Sequence, residues 1–174
     1  MLVLQTGNSS IAGKLFHLNV MKKPDIRIVS GGQTGVDRAA LDVALELGLR
    51  CGGWCPKGRR ALDGPIPERY PVKETESADY SVRTRLNVRD AVATLILNCG
   101  ELSGGTAYTL RVAEELGRAV LVQDMDHGGN VAQVHSWLEA HGVRVLNVAG
   151  PRENKCPGIY SRVRHFLSQL LAGS

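Results

Sequence analysis

No apolar run in the chain reaches the roughly 18 residues that a membrane-crossing helix needs, so an integral membrane protein built on helices is excluded. No secretory leader is expected either. The first 20 residues are only mildly hydrophobic, with no charged segment ahead of an apolar one and no cleavage site. Met21-Lys22-Lys23-Pro24 reads as a second possible start, and residues 1–24 as a poorly ordered extension ahead of one domain over 25–174. Aromatic residues make up only 5% of the chain, leaving few surfaces on which single-stranded nucleic acid could stack. Four cysteines in 174 residues make no disulfide-rich framework. Cys51 and Cys55 lie close together, but no second ligand pair follows at zinc spacing, so no metal site is assigned. Reduced thiols in a cytoplasmic protein are expected.

Charge of one sign is also scarce. The formal net charge is +4, but three of the 21 basic residues (Lys14, Lys22, Lys23) fall in the first 23 positions, which hold no acid. The remainder has 18 basic against 17 acidic side chains, too balanced to coat nucleic acid. The dinucleotide spacing G-x-G-x-x-G and the Walker A lysine are both missing.

What is present is a repeated strand–turn–helix alternation. Ile26, Ile28 and Val29 form a short β-branched run, broken by Ser30-Gly31-Gly32-Gln33-Thr34-Gly35. Val36, Ala39, Ala40, Val43, Ala44 and Leu47 then mark one buried helical face. Thr34 is the expected N-cap, paired with Asp37 as in a capping box, and Gly48 is the expected stop. Such a turn points backbone N–H groups at one spot near the positive end of a helix dipole, which suits a phosphate. A tight turn without a ligand is the plain alternative.

Residues 49–54 suggest a second strand. Residues 55–71 hold four prolines and read as a long functional loop carrying Lys57, Arg59 and Arg60. These cations could clamp an anion or simply face solvent. A short extended piece over 72–76 and a helix over 79–90 with Arg83, Arg85 and Arg89 follow. Ala91–Leu97 is an apolar run without alternation, as in a strand covered on both faces. It leads to a second glycine loop, Ser103-Gly104-Gly105-Thr106, and a helix with Ala107, Leu110, Ala113 and Leu116 inward. Strands over 119–123 and 143–148 and helices near 131–138 and 159–170 complete the alternation. The fold class is therefore α/β, a Rossmann-like, open, mostly parallel sheet of about five main strands with helices on both faces.

Two glycine turns at strand ends, each with a hydroxyl residue (Thr34, Thr106), point to a phosphate-bearing ligand. The candidate ligand-binding residues are Gly31, Gly32, Gln33, Thr34, Gly35, Lys57, Arg59, Arg85, Ser103, Gly104, Gly105 and Thr106. No catalytic residue is assigned. Ser30, Ser103 and Cys99 have no histidine placed beside them, and the nearest carboxylates are Asp37, Asp63 and Glu101.

Taken together, five segments resemble the putative molybdenum carrier family: Ser30–Asp42, Gly52–Arg59, Asp63–Pro67, Arg83–Asp90 and Gly100–Thr106, within a match over roughly residues 26–172. The resemblance implies a Rossmann-like fold related to the lysine-decarboxylase-like phosphoribohydrolases and the DNA-processing chain protein. It implies binding of the molybdenum cofactor, and a homo-oligomer, dimer or higher. The phosphoribohydrolases follow their glycine loop closely with a catalytic glutamate. Here Ala107-Tyr108-Thr109-Leu110 intervenes, and Glu114 stands roughly 12 Å past Thr106 at 1.5 Å per residue. The expectation is thus a carrier of an anionic small molecule rather than an enzyme, with Gly31–Gly35 and Ser103–Thr106 for the phosphate. Lys57, Arg59 and Arg85 would meet the oxyanion, and loop 55–71 would serve as a lid. A nucleotide-binding enzyme of the phosphoribohydrolase type is the alternative.

Overall fold

The computed structural model describes residues 25–172; the expected extension over 1–24 lies outside them. The chain runs β1 (Arg27–Val29), α1 (Val36–Glu46), β2 (Arg50–Cys55), a one-turn helix (Lys57–Arg59), β3 (Arg60–Ala61), β4 (Gly64–Pro65) and β5 (Val72–Glu74). It continues through α2 (Tyr80–Asp90), β6 (Ala93–Asn98), α3 (Gly104–Glu115), β7 (Ala119–Asp124), α4 (Val131–Ala140), β8 (Val145–Ala149) and α5 (Ile159–Leu171).

Six strands form a parallel sheet in the order β5-β2-β1-β8-β6-β7. This is the α/β, Rossmann-like sheet expected from the alternation. The last strand enters the middle: β8 pairs with β1 (Ile28 opposite Leu146) and with β6 (Ala93 opposite Leu146). Strand order diverges on either side of β8, so the loops leaving β1, β8 and β6 emerge side by side at the carboxyl edge, where open α/β sheets bind ligands.

Helices cover both faces. α1, α4 and α5 pack on one side around Ile28, Val43, Leu146, Val163, Phe166 and Leu167. α2 and α3 close the other around Val88, Val112 and Ala113. Every residue of β6 is buried, as the unalternating run implied. Among the described residues no helix is long and apolar enough to cross a membrane.

Four local expectations are corrected. First, α1 is capped by Gly35 (φ 82°), not Thr34, whose hydroxyl makes no cap bond. Asp37 does reach back, but to the N–H of Gln33 (3.3 Å). Second, α1 is buried on more than one face: Leu41 packs with Cys55, Ile66, Tyr70 and Val72 beneath residues 55–72.

Third, that segment is not structureless. β3 and β4 form a small antiparallel pair, and Arg59 donates to the carbonyls of Ile66, Val72, Pro67 and Tyr70 at 2.8–3.0 Å. Prolines keep the chain out of the main sheet, and the arginine fork supplies the hydrogen bonds that a sheet ladder would have given.

Fourth, α3 buries Thr106, Thr109, Val112 and Ala113 rather than Ala107, Leu110 and Leu116. The Thr109 hydroxyl donates to Gly105 O (2.9 Å), which satisfies a polar side chain on the inward face.

Candidate functional site

At the carboxyl edge of β1, β8 and β6 lies a cavity of about 680 Å³, within the size range of ordinary small-molecule sites. Gln33 reaches it from the β1–α1 connection, Asp37 from the first turn of α1, and Tyr80, Arg83 and Thr84 from α2. Ser103–Thr106 form the wall at the start of α3, and Gly150, Pro151, Arg152 and Lys155 close it from the segment after β8.

The two glycine turns contribute unequally. In the first, three amides are already engaged: Gln33 N–H by Asp37, Thr34 N–H by Gln33 Oε1 (3.0 Å), and Val36 N–H by Pro151 O (3.3 Å). The glycines here allow close backbone approach. A Cβ on Gly35 would lie 2.5 Å from Pro151 O, and one on Gly32 would lie 3.0 Å from Ile66. The turn is also roofed by the β3–β4 segment, through Leu62 N–H to Gln33 Oε1 (2.8 Å) and the bidentate Arg38–Asp63 pair (2.8 and 2.9 Å).

The second turn is open. Ser103 makes no side-chain cap bond, and a Cβ on Gly104 or Gly105 would meet nothing within 4 Å. The first-turn amides of α3 therefore sit at the cavity wall with the helix's positive end.

Among the described residues, two buried donors on the cavity lining have no partner: Gln33 Nε2 and Arg83 Nε. The Gln33 orientation is fixed by its oxygen, which accepts two backbone N–H groups, so its nitrogen is the free end. Buried polar atoms without partners are costly unless something else supplies the acceptor. Arg83 Nη1 pairs with Asp37 Oδ2 (3.1 Å). Burial pushes the Asp37 carboxyl above the usual carboxylate range, opposed by the Arg83 charge. Against Asp37 and Glu101 the lining sets three cations, Arg83, Arg152 and Lys155. Arg152 and Arg83 also flank the Tyr80 ring at 5.1 and 5.9 Å from its centroid.

Of the sequence candidates, Gln33, Ser103, Gly104, Gly105 and Thr106 come together in this cavity. Gly31 lies beside the Arg83 guanidinium, and Gly32 beneath Ile66. Thr34 and Gly35 instead line a separate cleft of about 440 Å³. There Asp42 is fully engaged by Tyr70 (3.0 Å), Tyr160 (2.7 Å) and Arg69 (3.1 Å). Lys57 is exposed outside the lining, Arg59 is tied to four carbonyls, and Arg85 pairs with Glu115 (3.0 Å) on the surface. Ser30 Oγ is spent on Val148 O (2.7 Å).

Of the cavity's cations, Arg83 is named from sequence only as one of three arginines on a helix, and Arg152 and Lys155 are not singled out. Arg83 and Arg85 each share a helix face with a buried residue, Asn87 and Val88, so helical spacing alone does not separate them. Arg152 and Lys155 follow Gly150-Pro151 at the end of the central strand, a position recognisable only once β8 is known to lie between β1 and β6.

The expectation of four reduced thiols is also corrected. Cys99 and Cys156 are joined as a disulfide with Cα atoms 6.5 Å apart, and Cys51 and Cys55 are free. β6 and β8 are neighbours, so the segments leaving them meet although 57 residues separate the two cysteines.

Residues 28–171 match the model of the family described as circularly permutated YpsA SLOG. The fold is also similar to the crystal structure of a putative molybdenum carrier protein from Syntrophus aciditrophicus SB. That structure is 44% identical, with a TM-score of 0.81 over 86% of this chain and 98% of the other. No curated protein matches the chain.

Proposed function

The chain belongs to the circularly permutated YpsA SLOG family, and on that premise we propose that it is a binding protein for an anionic, phosphate-bearing small molecule, with the molybdenum cofactor as its cargo. The observation that carries this reading is the pair of unpartnered buried donors, Gln33 Nε2 and Arg83 Nε, on the wall of a 680 Å³ cavity. An anion offers the acceptors they lack. The phosphate of the guest sits at the open N-terminus of α3, against Ser103–Thr106, where backbone amides and the helix dipole favour negative charge. Arg152 and Lys155 face the same space and supply the countercharge that Lys57, Arg59 and Arg85 do not. The guest's ring lies alongside Tyr80, which lines the same cavity. The name of the Syntrophus protein supports the choice of cargo.

A second reading, a nucleotide-acting enzyme of the phosphoribohydrolase type, draws on one observation: a buried carboxylate with a raised pKa, Asp37, lies in the same cavity. Titration of the purified protein with molybdenum cofactor under anaerobic conditions separates the two. The carrier reading expects a Kd of about 1 µM or tighter and no release of free base from nucleoside monophosphates. Cofactor binding no tighter than about 1 mM, with micromolar binding and turnover of a nucleoside monophosphate, replaces it with the enzyme.

A further inference from the structure

We propose that Cys99 and Cys156 form a redox-controlled tie across the ligand cavity, closed as a disulfide and opened by a dithiol reductant, whose state sets how tightly the cavity holds its anion. The inference rests on the anion-binding reading above. Both cysteines line the cavity, Cys99 directly after β6 and Cys156 shortly before α5. The segments they join carry the groups that face the guest: Ser103–Thr106 on one side, Arg152 and Lys155 on the other. While the bond is closed, these two walls cannot separate. Once it is open, they are held by weaker contacts through Asp126, which accepts from Gly100 N–H (2.9 Å) and from Arg162 Nη1 (3.0 Å).

The surroundings also give the exchange a direction. Cys99 is half-buried, whereas Cys156 is 6% exposed, so an incoming thiolate reaches the Cys99 sulfur. Arg162 Nη2 lies 2.9 Å from Cys156 Sγ, where a guanidinium stabilises a departing thiolate. A dithiol thiolate attacks Cys99 Sγ, the Sγ–Sγ bond breaks, and its electron pair leaves on Cys156 Sγ, which takes a proton from solvent. The second thiol of the reductant then resolves the mixed disulfide. This frees Cys99 as a thiol and releases the reductant as its own disulfide, with two electrons and two protons transferred overall. Cys51 and Cys55 do not line the cavity, and burial pushes their thiols up, away from the reactive thiolate form.

The experiment compares three proteins: air-oxidised, reduced with dithiothreitol, and the Cys99→Ser/Cys156→Ser double variant. Each is titrated with sulfate and with adenosine monophosphate, and followed by hydrogen exchange over residues 99–106 and 150–158. The oxidised protein should show two titratable thiols of the four cysteines. The reduced protein and the double variant should agree with each other, exchange faster in both segments and bind the probes roughly threefold or more weakly, because the walls are no longer pre-set. Arg162→Gln should slow reduction without changing its end point. Four free thiols in the oxidised protein, or identical affinities in all three, overturn the tie and leave the anion reading standing. Redox-dependent exchange with no probe bound by any of the three overturns the anion reading and leaves the physical tie.

Discussion

Arg83 Nη1 donates to Asp37 Oδ2 at 3.1 Å, joining α2 to the first turn of α1 across the cavity wall, while Arg83 Nε has no partner among the described residues. The pair holds the guanidinium in place and leaves part of it for a guest.

Replacing Arg83 should weaken anion binding far more than replacing Arg85. A charge-assisted hydrogen bond contributes about 1.5–3 kcal/mol, so Arg83→Gln should lower sulfate affinity roughly 10- to 100-fold. Because Asp37 would then be buried without its partner, Arg83→Gln/Asp37→Asn serves as the folded control and should still bind more weakly than Asp37→Asn alone. Arg85→Gln, which breaks only the surface pair with Glu115, should bind as the parent does. Calorimetric titration checks all three, and equal losses at positions 83 and 85 would remove Arg83 from the site.

Anion binding should strengthen in acid. Burial raises the Asp37 carboxyl above its unfolded value, so its stabilising contribution is present below the unfolded value and is lost as pH rises through the folded one. In the cavity the same proton removes the charge that offsets Arg83. Sulfate stays dianionic, so its affinity should rise as pH falls through the raised Asp37 value, and Asp37→Asn should flatten the profile. A parent profile as flat as that of the variant contradicts the assignment.

Two glycine substitutions should separate packing from binding. A Cβ on Gly53 (φ 139°) would collide with Ser30 O, whereas one on Gly105 meets open space. Gly53→Ala should cost about 3 kcal/mol or more, from overpacking and a strained backbone together. Gly105→Ala should stay within about 1 kcal/mol of the parent but weaken sulfate binding by crowding the open amides. Thermal melts and titrations on both variants test the contrast.

Arg59 should matter for stability and not for the anion. Arg59→Lys replaces a planar fork that reaches four carbonyls with a single ammonium. A loss of about 2 kcal/mol, or roughly 4–8 °C in Tm, is expected with unchanged sulfate affinity. A drop in affinity without a drop in Tm would return Arg59 to the binding site.

The α/β alternation and the family were legible in the residues because both rest on local pattern: the unalternating 91–97 run, the stripe on α5, the Gly48 stop and the ordered motifs. Gly48 indeed ends α1 with φ 63°. What depends on long-range placement was not legible. Gly31–Gly35 looks like an anion turn from its composition, but the amides of Gln33 and Thr34 are taken by Asp37 and by the Gln33 side chain, and that of Val36 by a carbonyl 115 positions along the chain, Pro151. Arg59 looks like a free cation until the carbonyls of 66–72 fold back onto it. The disulfide likewise depends on two strands being neighbours, which no spacing of cysteines reveals.

The central seat of β8 also bears on how the molecule is made. Of the strands in the main sheet it is the last to leave the ribosome, yet it alone bridges β1 to β6. Until it arrives, the nascent chain holds two half-sheets whose unpaired edges are open to wrong partners, a slow and aggregation-exposed interval. A stop codon ahead of Val145 would therefore leave no smaller version of this protein, only two unjoined flaps.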